Sequence, residues 1–182
     1  MNAKGREISP RRTAPVSLSQ PCGQAQLTSS GLLVCTQDGR VNLLREGQPV
    51  ASLPGFHARV AGNVIWVHHG ATVSRWVDYG EGAPAKYPAT EWEAETPEPG
   101  AVLLASEQGL VQLYVRETVD GSSGAGELMR YALSEGRPVT FNTQLVQNVT
   151  GVVAASVEEG NAAFVGWKTD NTGGLACRMP FD

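Results

Sequence analysis

The feature of this sequence that most constrains its fold is a pattern that occurs four times along the chain. Each copy consists of an apolar run, a tight turn that contains glycine, and a second apolar run; the copies span residues 32–45, 63–76, 102–115 and 152–167. A short apolar run that stops at a glycine turn and then resumes is typical of two antiparallel strands joined as a hairpin. The sequence therefore predicts four β-hairpins.

A glycine marks each of these turns: Gly39, Gly70, Gly109 and Gly160. Asp38-Gly39 is the clearest turn, because both central positions of a type I′ turn need a positive φ, which Asp-Gly tolerates at low cost. The nearly continuous apolar runs before the turns predict strands covered on both faces. After the turn the alternation is cleaner, and it places Val41 and Leu43 on one face.

Hairpins with flanking strands predict an all-β chain. The weaker strands expected between hairpins lie at residues 48–53 and 137–146, and residues 127–134 favour a strand over a short helix. Repetition at about 40 residues is typical of propeller blades, so we expect a propeller-like array of about four antiparallel hairpin units. The turn glycines are 31, 39 and 51 residues apart, and this uneven spacing keeps a β-sandwich or barrel as the alternative.

The 182 residues suffice for one domain, with two small domains as the less favoured alternative. We expect an extended N-terminal arm at residues 1–26, since three prolines interrupt it. A single all-β domain follows at residues 27–182, with a flexible connection at 120–126. The arm carries four basic residues that would dock on an acidic surface if it is more than a disordered tail: Lys4, Arg6, Arg11 and Arg12.

The segment from residue 78 to residue 98 is rich in acidic side chains and contains four prolines. Its composition predicts a long acidic loop that is either merely solvated or pairs with a basic partner. Within it, we expect Trp92 to be an exposed aromatic anchor for a partner. The residues predicted to surround that anchor are Glu91, Glu93 and Glu95.

No motif in the sequence predicts catalysis. The glycine-rich stretch at residues 121–126 lacks the Lys and Ser/Thr of a phosphate-binding loop and the second glycine of a nucleophile elbow. On a strand, His68 and His69 point to opposite faces, and His57 alone brings no further ligands. We therefore predict no enzyme, no cofactor and no metal site. The net charge of -4 and the absence of a long apolar run argue against nucleic acid or a membrane as the ligand.

The three cysteines are Cys22, Cys35 and Cys177. Their odd number and wide spacing argue against a zinc site and against a disulfide framework, so we expect small buried or unreactive thiols. The first residues are basic but no apolar segment follows them, which differs from a secretory signal. These observations together favour synthesis in a reducing cytoplasm.

One segment resembles a known family. Residues 127–146 read ELMRYALSEGRPVTFNTQLV, and the core of the match is Arg137-Pro138-Val139-Thr140-Phe141. This segment resembles β-propeller-like virion proteins of tailed bacteriophages, notably tail and nozzle components, in which an aromatic-basic strand leads to a similar stretch and then to an apolar strand. The hairpin at residues 102–115 fits the same arrangement.

The resemblance implies a non-enzymatic structural protein, a subunit of a bacteriophage tail or connector assembly. Its partners would then be other copies of the chain or other virion proteins, and its location the virion, after synthesis in the host cytoplasm. The alternative is a soluble propeller-type binding module, lectin-like or a scaffold, that uses exposed aromatic residues.

Overall fold

The computed structural model describes residues 21–97, 102–116, 125–134, 137–147, 149–158, 161–168 and 174–180. Across these ranges the chain forms strands and turns and contains no helix, which confirms the all-β prediction. Lys4, Arg6, Arg11 and Arg12 lie outside the described residues, as do residues 1–20 of the predicted arm. The last part of that predicted arm is ordered, because the first strand already begins at Gln24.

The described strands fall into four antiparallel sheets that follow one another along the chain. Sheet 1 contains β1 (Gln24–Leu27), β2 (Leu32–Gln37), β3 (Arg40–Arg45) and β4 (Gln48–Pro54). Sheet 2 contains β5 (His57–Ala61), β6 (Val64–His69), β7 (Thr72–Val77), β8 (Ala85–Lys86) and β9 (Trp92–Glu93). Sheet 3 contains β10 (Val102–Ala105), β11 (Gly109–Arg116), β12 (Ala125–Ser134) and β13 (Arg137–Gln147). Sheet 4 contains β14 (Val149–Glu158), β15 (Asn161–Lys168) and β16 (Gly174–Pro180).

All four predicted hairpins are confirmed: β2–β3, β6–β7, β10–β11 and β14–β15 pair antiparallel with their neighbours. The weaker strand predictions are confirmed as β4 and β13, and residues 127–134 lie in β12. The Asp38-Gly39 turn has φ values of 49° and 75°, as a type I′ turn requires. The connection predicted at residues 120–126 ends in strand, since β12 begins at Ala125, and its earlier residues lie outside the described part.

Sheets 1, 2 and 3 are stacked in chain order, with a core between each pair. The core between sheets 1 and 2 is aliphatic and includes Val41, Leu43, Ile65 and Val67. The core between sheets 2 and 3 is built on the opposite face of β6. Residues 64–68 of β6 are buried without interruption because successive side chains enter the two cores alternately, as predicted for a strand covered on both faces. On the far side, β10 and β11 of sheet 3 lie next to β14 of sheet 4.

A disulfide joins Cys22 to Cys35, so the prediction that the cysteines remain unpaired thiols is wrong for this pair. The chain bends at Gly23 just before β1, and this bend brings the two Cα atoms to 5.4 Å, within the range that a disulfide spans. Spacing along the sequence gives no sign of such proximity, because it arises only once β1 pairs with β2.

The segment at residues 78–98 is not a solvated acidic loop in its described part, up to residue 97. Two short strands, β8 and β9, both pair with β7 and together form a divided outer strand of sheet 2. Lys86 lies opposite Trp76 and Trp92 lies opposite Val73, so six residues of the outer strand span three residues of β7. The intervening bulge, which contains a cis Tyr87–Pro88 bond, hides the strand pattern in the sequence.

Candidate functional site

Of the residues predicted to bind a partner, Trp92 lies in the core rather than on the surface. Its side chain is 3% exposed, and its ring lies 5.4 Å from the ring of Trp66 at a tilt of 55°. The prediction of an exposed aromatic anchor is therefore wrong. The alternation Glu91-Trp92-Glu93, with both glutamates exposed, is a strand signal that the acidic composition of the segment concealed.

The acidic residues next to Trp92 are on the surface, as predicted. Glu91, Glu93 and Glu95 are all exposed. Lys86 donates a hydrogen bond to the Glu91 carboxylate and holds the pKa of that group below its usual value. These three glutamates form an acidic edge on the outer side of sheet 2, and Glu91 is paired with Lys86 there.

Asp78 follows β7 directly and is buried, with its side chain fully enclosed. Its carboxylate accepts hydrogen bonds from Thr28 Oγ1 at 2.8 Å, Arg45 Nη2 at 2.6 Å, the Gly80 main-chain N–H at 3.0 Å and the Ser30 hydroxyl. Burial alone would raise the pKa of Asp78, but these hydrogen bonds outweigh it and leave the pKa lowered. The prediction that Asp78 belongs to a solvated loop is therefore wrong.

The Asp78 cluster connects two sheets. Thr28 and Ser30 belong to the β1–β2 turn and Arg45 ends β3, so two elements of sheet 1 meet a carboxylate from sheet 2. The main chain supports the same junction, since Ser29 N–H donates to the Gly62 carbonyl at 2.9 Å. The sequence does not reveal this role, because the residues around an aspartate that follows a strand do not distinguish an exposed loop from a buried junction.

Arg75 on β7 makes the corresponding junction between sheets 2 and 3. Its Nε and Nη2 donate to the Glu107 carbonyl at 3.0 and 2.9 Å, and its guanidinium lies 6.0 Å from the Trp66 ring and 5.9 Å from the Tyr87 ring. Trp66 Nε1 donates to the Ser106 carbonyl at 2.8 Å. Both acceptors lie in the β10–β11 turn, so this turn is held against sheet 2 by a cation and an indole.

Arg59 on β5 reaches the strands on either side of it. Its Nε donates to the Leu103 carbonyl of β10 at 2.9 Å, and its Nη1 donates to Gln24 Oε1 of β1 at 2.9 Å. Gln26 adds a second bond to β5, from its Nε2 to the Ala58 carbonyl at 2.8 Å. The first strands of sheets 1, 2 and 3 are thus linked through β5.

The three histidines lie at the end of sheet 2 that carries the Gly70 turn. His57 and His68 are opposite each other on paired strands and share a face. His69 points to the other face, where it stacks on Phe56 with ring centroids 6.1 Å apart. Burial lowers the pKa of His68 to about 4, so it is neutral at pH 7. Among the described residues, no cluster of three or more His, Cys, Asp or Glu side chains is placed to hold a metal ion.

Aromatic side chains are exposed on one part of sheet 2. Tyr79 is 70% exposed and Tyr87 is 53% exposed, and both lie close enough to Arg75 to raise its pKa, although burial lowers it overall. Tyrosine and arginine are enriched where proteins bind partners. Tyr79 and Tyr87, like Phe56, are exposed aromatic side chains of the described chain, whereas Trp92 is buried.

No protein-family model matches the sequence, and no curated protein matches it. In the part of the chain that the structure describes, no helix is long and apolar enough to cross a membrane.

Proposed function

We propose that this protein is a non-enzymatic structural or interaction protein, a subunit of a bacteriophage tail or connector assembly. The observation that carries the proposal is the use of its buried and half-buried ionic groups. Asp78, Arg59 and Arg75 each make hydrogen bonds from one sheet to the next. Charged groups engaged in this way hold sheets together and are not arranged around a substrate.

The arrangement of sheets supports a propeller-like array. Within each sheet, the described strands that follow one another in the chain lie side by side and antiparallel, apart from β9, which pairs with β7. Between sheets, β5 of sheet 2 lies against β2 of sheet 1 and against β10 of sheet 3. Consecutive four-stranded antiparallel sheets packed face to face are the building pattern of propeller blades. We propose that the four sheets are successive blades. Small-angle X-ray scattering on the full chain would distinguish a closed disc from an open row of sheets.

The virion assignment is supported by the resemblance at residues 127–146. Its core, Arg137 to Phe141, begins β13, which pairs antiparallel with β12. Disulfides persist on virion surfaces, among other oxidising locations. The Cys22–Cys35 bond is therefore compatible with a protein that acts outside the reducing cytoplasm in which it is synthesised.

The proposed partners are other copies of the chain or other virion proteins. The basic arm residues Lys4, Arg6, Arg11 and Arg12 would dock on an acidic surface of a neighbour, and the acidic segment at residues 78–98 is one such surface. Contacts of this kind between different surfaces of identical chains generate rings when the rotation closes.

Sedimentation velocity tests the assembly. We expect the full chain to form larger species at low salt, and removal of residues 1–20 or raised salt to abolish them while circular dichroism stays unchanged. Replacing Lys4, Arg6, Arg11 and Arg12 with glutamine should have the same effect, whereas Arg137→Gln, an exposed basic residue of β13, should not. Equal assembly of the truncated and full chains at low salt would contradict the role of the arm. The presence of capsid, portal or tail genes beside this gene would support the assignment to a virion.

The second candidate is a soluble binding module, and the Tyr79–Tyr87 patch favours it. An exposed aromatic ring beside an arginine suits stacking and polar contact with a carbohydrate. A glycan array with clear hits that are lost on Tyr87→Ala would favour this function over the structural one. Trp92→Ala is unsuitable for that test, because it removes a core side chain.

A further inference from the structure

Sheet 3 has an outer edge beside which the described part of the chain places no further strand. Its strands follow the order β10-β11-β12-β13, so β13 is paired with β12 on one side only. Arg137 and Thr140, near the start of β13, are exposed. An edge strand of this kind presents a row of main-chain N–H and C=O groups that can pair with a strand of another molecule. The edge of β13 is therefore a surface on which sheet 3 can be extended.

The part of β13 from Val139 to Gln144 suits such pairing in its composition and in its regularity. Its six residues read VTFNTQ and contain no charged residue, proline or glycine, and four of the six are β-branched or aromatic. Their register with β12 is unbroken, because the register shift between these strands lies beyond Gln144, between Gly126 and Glu127. Segments of six or seven residues with high β propensity, low charge and no proline are those that pair most readily between chains.

The outer strands of the other sheets carry features that oppose pairing. Sheet 1 ends in β4, where Pro49 and Pro54 each lack a main-chain N–H. The outer strand of sheet 2 is divided into β8 and β9, which are two residues long each and are separated by a bulge. Sheet 4 ends in β16, which contains Arg178 and Pro180. Short strands, charges, prolines and bulges are the means by which proteins block sheet edges, and residues 139–144 of β13 contain none of them.

The same comparison identifies the strand that matches β13. Among the outer strands of the described chain, β13 alone offers six consecutive residues that nothing blocks, so the strand that fits it best in a second copy is β13 itself. Antiparallel pairing about a two-fold axis opposes only uncharged residues of the segment 139–144 and places the two Arg137 residues at opposite ends of it. Such a contact uses the same edge of both copies and is closed, whereas a stack of further strands would leave a new edge exposed.

We propose that the outer edge of sheet 3 is a dimerisation surface, on which residues 139–144 of β13 pair antiparallel with the same residues of a second copy of this chain. The two copies of sheet 3 then form one continuous antiparallel sheet, held by main-chain hydrogen bonds. This inference rests on the proposed assembly of identical chains and adds a two-fold contact that is separate from the docking of the basic arm. Because the paired segment is short, the dimer forms reversibly and its fraction rises with protein concentration.

Sedimentation equilibrium over a range of protein concentrations tests the dimer. Salt screens contacts between exposed charges but not main-chain pairing, so we expect a monomer–dimer equilibrium at raised salt, and the same equilibrium after removal of residues 1–20. Thr140→Lys introduces a charge into each of the paired strands and should raise the dimer dissociation constant at least about tenfold. Thr90→Lys, at an exposed threonine between β8 and β9, is the matched control and should leave that constant unchanged.

Three results of this experiment would overturn the proposal. They are a chain that stays monomeric at raised salt at every concentration, a dimer that folded Thr140→Lys leaves unchanged, and open filaments in place of a dimer. Each is distinct from a failure of the arm, because the arm-dependent species need residues 1–20 and low salt, whereas the β13 dimer needs neither. Raised salt should accordingly reduce the assembly to the monomer–dimer equilibrium and not to monomers alone.

Hydrogen–deuterium exchange of the unsubstituted full chain gives a second test, which does not depend on the folding of a variant. Pairing with a second copy forms hydrogen bonds to the outward N–H groups of β13, so exchange in residues 139–144 should slow as the protein concentration rises at raised salt. Residues 50–53 of β4, on the outer edge of sheet 1, are the internal control and should exchange at one rate at every concentration. Equal behaviour of the two segments would contradict pairing through β13.

Discussion

The two cores on either side of sheet 2 differ in the kind of residue that fills them. The core between sheets 1 and 2 is aliphatic, and the Asp78–Arg45 ion pair at its edge is surrounded by hydrogen-bond donors. The core between sheets 2 and 3 contains Trp66, Trp92 and Tyr131, and the buried polar side chains of His68 and Gln112 lie on the same two faces. One interface thus combines aliphatic packing with an ion pair, and the other combines aromatic packing with buried neutral polar side chains.

A single strand accounts for much of this difference. In β6, Ile65 and Val67 enter the aliphatic core, whereas Trp66 and His68 enter the aromatic one. The comparison shows that a period of two residues can give the two faces of one sheet separate chemistry. It also predicts different responses of the two interfaces to mutation, redox conditions and pH.

The largest effect should come from removing the charge that joins sheets 1 and 2. Asp78→Ala leaves Arg45 without its carboxylate and Thr28 and Ser30 without their acceptor, so we expect a loss of about 3–5 kcal/mol in the free energy of unfolding. Urea denaturation followed by tryptophan fluorescence measures it. Glu81→Ala, at an exposed position of the same segment, is the control and should change little. Equal losses for the two variants would show that the Asp78 cluster contributes nothing to the junction.

The next effect concerns the bond that fixes sheet 1 to the chain ahead of it. Cys22→Ser should cost about 3 kcal/mol, the value that loop closure gives for a short loop, since the disulfide closes a separation of 13 residues. Thermal unfolding with and without reductant measures it. A reductant should destabilise the parent protein and leave Cys22→Ser unaffected, and Cys177→Ser should behave as the parent does. Titration of three free thiols per unreduced chain would contradict the bond.

Acid should act on the interface between sheets 2 and 3 through His68. Burial lowers its folded-state pKa from 6.5 to about 4, so the unfolded chain binds the additional proton between these values. The His68 contribution to stability is present above pH 6.5 and is lost as the pH falls towards 4, with a slope of at most about 1.4 kcal/mol per pH unit. Urea midpoints across this range measure it, with His68→Gln as the reference that lacks the titrating group. Parallel pH profiles for the two proteins would contradict a buried neutral His68.

The smallest of these effects is a backbone one, at the β2–β3 turn. Gly39 has a φ of +75°, and a side-chain Cβ there would come 3.2 Å from the Phe56 ring. Gly39→Val should therefore cost about 1–2 kcal/mol, because L-residues strain in the left-handed region. Gly124→Val, in the stretch predicted to be a connection, should cost less. Equal changes in melting temperature would contradict the prediction.

Much of the fold could be predicted from the sequence, because the glycine turns and apolar runs are local signals. The uneven spacing of the turn glycines has a structural explanation. Gly39 and Gly70 lie between the second and third strands of their sheets, whereas Gly109 lies at the turn between the first and second strands of sheet 3. The spacing between these glycines is uneven because they mark turns at different positions within their sheets.

The parts that could not be predicted depend on contacts between distant segments. Acidic residues and prolines dominate the segment that contains Asp78 and Trp92, and this composition predicts a surface loop. The burial of the two side chains is decided by sheets 1 and 3, which the local sequence does not describe. The Cys22–Cys35 bond likewise depends on strand pairing. Nothing in the sequence predicts that Arg59 and Arg75 join two sheets, since an arginine in a strand is usually solvated.

The order of the strands has a consequence for how the chain folds. In the described residues, almost every strand pairs with its immediate neighbour in sequence, the exception being β9, which returns to β7 across β8. Contacts between near neighbours in the chain form quickly, because little loop entropy is lost in closing them. Each sheet can thus assemble as soon as its own strands leave the ribosome, and sheet 1 can be complete before sheet 3 has been synthesised. Folding would then proceed from the N-terminal sheet onwards, with each finished sheet offering an apolar face to the next.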